Sequence, residues 1–154
     1  MKHQTITTSA NEIANSRGIK LTAKRRNILE LLIATNKPSS AYDIKENYYQ
    51  AYNETIPVMS VYRILDFFIE QGLAHKLESI NQYIICDHVN CDHSHANAQF
   101  LICDDCNSTE EVVLEEKLHA QLADSVARKG FVLNELQFEL HGTCSSCQTN
   151  KITN

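Results

Sequence analysis

The stretch PVMSVYRILDFFIEQGLAHKLE, residues 57 to 78, decides how the N-terminal half folds. From Ser60 to Gln71 it sets Val61, Ile64, Leu65 and Phe68 at the i, i+3, i+4, i+7 spacing of one apolar helix face, and it stops at Gly72, a residue suited to a left-handed helix terminus. Beyond Gly72 the period shortens, and LAHKLE and QYIIC read as strands joined through Ser79, Ile80 and Asn81 in a hairpin. Upstream, Thr22 is an N-cap for AKRRNILELLIAT, whose Ile28, Leu29, Leu31 and Leu32 form another apolar stripe ended by Asn36, Lys37 and Pro38. Ser40 with Asp43 three residues on is a capping-box signal that opens AYDIKENYYQAY, followed by a turn over residues 53 to 57. Three helices and a hairpin fit a winged helix-turn-helix. A small helical bundle with a stray hairpin fits the same periodicity, and the pattern alone does not separate them.

The chain has 154 residues and a net charge of −5, unevenly placed. Residues 1 to 80 carry ten Lys and Arg against eight Asp and Glu, while residues 81 to 154 carry four against eleven, so the first part is at +2 and the second at −7. Six of the seven histidines lie at or beyond His75 and all six cysteines at or beyond Cys86, which concentrates metal ligands in the acidic half. No stretch approaches the roughly 20 apolar residues of a membrane helix, and the first twenty residues do not resemble a secretory signal. A cytoplasmic location is expected, with no membrane partner.

The segment DHVNCDHSHANA has no apolar period and reads as a linker. After it, QFLIC and EEVVL are strand candidates, EEKLHAQLADSVARKG is an amphipathic helix through Leu118, Leu122 and Val126, and FVLNELQFEL alternates apolar side chains at Leu136, Phe138 and Leu140. This makes an α/β unit of fewer than eighty residues, whose thin core a structural metal, dimerisation or both would help stabilise.

Two C-x-x-C pairs, Cys103 with Cys106 and Cys144 with Cys147, flank the strand, helix and strand of that unit. Each puts two thiolates on one tight turn, and two such knuckles together supply the tetrahedral sulfur cage of a structural zinc. A thioredoxin-like redox pair and two disulfides are the competing readings. The doubled motif, neither copy of which is expected at the strand-to-helix junction of a βαβ unit, favours zinc. A second ligand group remains in His75, Cys86, His88, Cys91, His93, His95, Glu110 and Glu111, where mixed nitrogen, sulfur and oxygen donors suit zinc. His88, Cys91, His119 and His141 read more simply as solvated or structural side chains.

The order TAKRRNILELL, SAYDIKENY, PVMSVYRILDFFIEQGLAHKLE, a His/Cys loop, FLICDDC and HGTCSSC resembles the ferric-uptake-regulator family of bacterial metalloregulators from about residue 10 to 148. Within it, GLAH before the wing, Cys86 closing it, a loop histidine and a Glu five residues after Cys106 are most similar to the zinc-uptake-regulator branch. The resemblance implies an α+β chain: a winged-helix DNA-binding domain over 1–84, a hinge and metal-binding loop over 85–98, and a small α/β dimerisation domain over 99–154 carrying the four-cysteine zinc site. It implies two zinc ions per chain, one structural and one regulatory. The regulatory ligands would be His75, Cys86, His95 and Glu111, with His93 the alternative to His95. Iron- and peroxide-sensing members usually lack a thiolate at the position of Cys86, which favours zinc over those metals here.

The resemblance also implies that the third helix enters the major groove of a palindromic operator bound by a homodimer, as a repressor of zinc-uptake genes. Ser60, Tyr62 and Arg63 lie near its N-terminal end, and Arg63 is suited to a bidentate contact with guanine. Tyr42 is placed to donate to a phosphate, and Lys24, Arg25 and Arg26, with Arg17 and Lys76, form a basic rim that sets affinity rather than sequence choice. An enzyme is disfavoured: H-x-E, P-C-x-x-C, H-E-x-x-H, G-x-S-x-G and a phosphate-cradling glycine loop are all missing from the sequence. No small-molecule substrate is expected. A zinc-buffering protein would use the acidic half but leave the helix-turn-helix half without a role.

Overall fold

The computed structural model describes residues 9–86, 98–134 and 137–152, in two compact units, Met1–His93 and Ser94–Asn154. Unit 1 contains four helices, α1 (Ala10–Arg17), α2 (Ala23–Thr35), α3 (Ala41–Tyr52) and α4 (Val58–Glu70), then strands β1 (Ala74–Leu77) and β2 (Gln82–Ile85). Three of the helices correspond to those read from the sequence, and α1 is additional. Its signals are local: the Ser9 hydroxyl accepts from the Glu12 N–H, the Ser9 N–H donates to the Glu12 carboxylate at 2.7 Å, and Gly18 follows in the left-handed conformation. With Ile13 its one long apolar side chain, α1 offers almost no periodicity to read.

The expected caps form. Thr22 accepts from the Arg25 N–H, and Ser40 and Asp43 make the reciprocal capping box. Helix α4 begins at Val58, two residues before the expected start, because Pro57 supplies a preset φ at the cap position and needs no side-chain bond there. At its other end the Leu73 N–H donates to the Phe68 carbonyl and the Gly72 N–H to the Ile69 carbonyl, with Gly72 at φ +65°. This is the Schellman pattern, and it turns the chain from α4 straight into β1.

Ile28 and Leu29 of α2, Ile44 and Tyr48 of α3, and Val61, Leu65 and Phe68 of α4 belong to one buried cluster. Each such side chain is worth about 1.5–3 kcal/mol when fully buried. Ser39, between α2 and α3, exchanges two backbone hydrogen bonds with Tyr83 of β2, so the hairpin is tied to the helices as a wing. The winged helix-turn-helix is therefore the architecture, and the stray hairpin is not.

Unit 2 contains β3 (Gln99–Cys103), β4 (Thr109–Val112), α5 (Glu116–Ala127), β5 (Phe138–Gly142) and α6 (Ser145–Ile152). The sheet order is β4-β3-β5, with β4 antiparallel and β5 parallel to β3. One expectation needs correcting. The alternating run from Phe131 becomes a strand only from Phe138; Phe131 and Val132 are exposed, and Leu136 lies outside the described residues. The second C-x-x-C lies between β5 and α6, a helix not read from the sequence, and Cys144 opens a helical turn in which the Gln148 N–H donates to its carbonyl; no strand follows α6 among the described residues, so this is not the junction of a βαβ unit. Helix α5 keeps the stripe read from the sequence but buries none of it, leaving Leu118 49% exposed.

Candidate metal centres and nucleic-acid face

The parallel register pairs Cys103 with Gly142, so the two C-x-x-C knuckles leave the sheet side by side. The Asp104 N–H donates to the Gly142 carbonyl, and His141 Nδ1 lies 2.7 Å from the Asp104 carboxylate, a second tie between the knuckles. The sulfurs of Cys103, Cys106, Cys144 and Cys147 all lie within 4.8 Å of one another. A tetrahedral ion with Zn–S bonds of ~2.3 Å requires sulfur pairs about 3.8 Å apart. Cys106 and Cys144 are separated by 3.8 Å.

Acidity supports the same fit. The Cys144 N–H donates to the Cys103 sulfur at 3.3 Å, and with neighbouring N–H groups it holds the Cys103 thiol down at about 6. Cys147 is pushed up to about 12, chiefly by the adjoining Cys144 and Cys106 sulfurs. Four thiolates this close repel one another unless a cation offsets them, and a soft divalent ion is what this donor set accommodates. The described cysteines are free thiols, so no disulfide forms among them. His141 is engaged by Asp104, and His119 faces the amide of buried Gln99 at 3.4 Å, so each has a structural neighbour within unit 2.

In unit 1, the Cys86 N–H donates to the Leu73 carbonyl, which continues the β1–β2 register by one pair. His75, two residues beyond Leu73, therefore shares a face with Cys86. Both are buried, and the thiol and imidazole lie within 4.8 Å. Glu111 is half-buried on β4 of unit 2, opposite Phe100. His88, Cys91, His93 and His95 fall outside the described residues.

Arg63 is exposed on the N-terminal half of α4, with Ser60 and Tyr62 partly covered beside it. The Tyr62 ring meets Tyr83 of the wing edge-on at 6.5 Å, which joins helix and hairpin. Tyr42, at the start of α3, is 63% exposed. The basic rim is not uniform. Lys24 is exposed, Arg25 lies over the Phe67 ring at 3.6 Å, and Arg26 is partly covered with its Nε shut off from water. Arg17 donates to the Gln71 carbonyl and Lys76 pairs with Glu78 at 2.8 Å. Met59, not singled out from the sequence, is 61% exposed one turn before Arg63; the i, i+4 spacing was the available signal.

The family model described as the Ferric uptake regulator family matches residues 16–141. The chain belongs to the ferric uptake regulator family. Among its relatives, the zinc uptake regulation protein of Escherichia coli (strain K12) is 36% identical over 146 residues, covering 94% of this chain and 82% of that protein. The peroxide operon regulator of Bacillus subtilis (strain 168) is 32% identical over 144 residues, 90% of each. Among solved structures, a zinc uptake regulator complexed with zinc and DNA matches with a TM-score of 0.80 at 30% identity, covering 99% of both chains. Because regulators named for different signals lie at similar identity, the ligand chemistry must separate the members of the ferric uptake regulator family. No helix among the described residues is long and apolar enough to cross a membrane.

Proposed function

We propose that this chain is a zinc-responsive, DNA-binding regulator, a cytoplasmic repressor that binds a palindromic operator as a zinc-loaded homodimer. The observation that carries the zinc reading is the buried thiol of Cys86 within 4.8 Å of the His75 imidazole at the base of the wing. A thiolate and an imidazole together suit zinc better than the harder nitrogen and oxygen sets of iron and manganese sites. The likeness to a zinc uptake regulator complexed with zinc and DNA supports the same choice over an iron- or peroxide-responsive regulator.

Two zinc ions per chain are proposed. Cys103, Cys106, Cys144 and Cys147 would hold one in a closed cage that contributes to folding. His75, Cys86, His95 (or His93) and Glu111 would hold the other. These ligands come from both units, so occupancy would restrict how the units move and favour a DNA-competent arrangement. Turning binding from mostly off to mostly on requires about 5.5 kcal/mol of such preference. Exposed Arg63, Tyr42 and Lys24 support DNA recognition and argue against a purely zinc-buffering role, and the uncovered face of α5 supports a homodimer.

A gel-shift titration of promoter fragments from zinc-uptake genes, with zinc or ferrous iron added to chelator-treated protein, tests this reading. Zinc-dependent retardation is expected. Equal retardation without metal, or retardation by iron alone, overturns it.

A further inference from the structure

Arg25 is the one member of the basic rim laid on an aromatic face. Its guanidinium carbon sits 3.6 Å from the centre of the Phe67 ring. Phe67 is four residues beyond Arg63 on α4, so ring and arginine are neighbours on one helix surface. Stacking occupies the guanidinium's flat face and leaves its N–H edge available, and among the described residues that edge has no carboxylate or carbonyl partner. Arg17 and Lys76 differ, since each already spends a donor on the protein.

We infer that Phe67 is a positioning residue for DNA binding: it holds the Arg25 guanidinium ready for a backbone phosphate on the side of α4 that carries Arg63. The inference rests on the reading of unit 1 as a DNA-binding module. A phosphate matches the planar N–H fork bidentately, and a side chain already fixed loses less freedom on making that contact than a free one. Phosphate contacts act on all sequences alike, so Arg25 sets affinity while Arg63 sets choice.

The test measures anisotropy of a labelled random-sequence duplex with the full-length zinc-loaded chain across a range of salt. Arg25→Ala should weaken binding and lower the slope of log affinity against log salt by about 0.9 per protomer. Phe67→Leu should weaken binding although the charge remains, Phe67→Tyr should restore it, and the double variant should be no weaker than Arg25→Ala alone. A wild-type slope in Arg25→Ala, or losses that add in the double variant, overturns the inference while the wild-type chain still binds DNA. A wild-type chain that binds no duplex overturns the DNA-binding reading with it. The Arg25→Ala slope is decisive even where Phe67→Leu lowers the melting temperature.

Discussion

Cys103 at the end of β3 and Gly142 at the end of β5 are partners in a parallel pair, and that register carries both sulfur knuckles off the same end of the sheet. The cage is thus a consequence of the strand–helix–strand crossover rather than of either motif alone. Cys144→Ser should lose one zinc per chain and much of the folded signal of unit 2, since apparent zinc binding in small cysteine sites is on the order of 10–16 kcal/mol. Metal analysis with circular dichroism checks this; full zinc content in the variant contradicts it.

At the start of α3 the Ser40 hydroxyl, and then its N–H, hold the Asp43 carboxyl below its ordinary value of 3.8. A depressed carboxylate stabilises the fold above the unfolded-state value, and that contribution is lost as pH falls through the lower folded value. Ser40→Ala should cost about 1 kcal/mol at neutral pH, read by urea unfolding. In the same variant the NMR titration of Asp43 should move up toward 3.8. An unmoved titration contradicts the capping account.

Leu118 is 49% exposed on a helix with no fully buried residue, the Leu122 and Val126 of its stripe being only half-covered. Leu118→Glu should therefore leave unit 2 folded but dissociate the homodimer, with sedimentation falling to the monomer. A variant that remains dimeric places the interface elsewhere.

Arg63→Ala should cost about 1–3 kcal/mol on the operator and little on random duplex, because a base contact discriminates and a phosphate contact does not. Competition binding with both duplexes reads the difference. Equal losses on the two would assign Arg63 to the phosphate backbone.

What could be read in advance follows from how local the signals are. Gly72, Ser40 with Asp43, and the stripe from Val61 to Phe68 each carry their meaning within one or two turns, and they place the wing, the second helix of the motif and α4. The two C-x-x-C pairs are equally local, and the crossover needed only to bring them together. Helix α1 escaped because eight residues with one long apolar side chain give no period, although Ser9, Glu12 and Gly18 marked both its ends. Helix α6 escaped because SSCQTNKI has no apolar stripe. The placement of Arg25 over Phe67 arises from packing between α2 and α4, which no spacing within one helix records.

The central claim is that Cys86 senses zinc. Zinc content per chain and operator affinity should be measured together on wild type and Cys86→Ser, before and after mild chelation. The expected result is a wild type that falls from two zincs to one and releases the operator, beside a variant that starts at one zinc and binds weakly throughout. A Cys86→Ser chain that holds two zincs and still grips the operator in a zinc-dependent way would contradict the account.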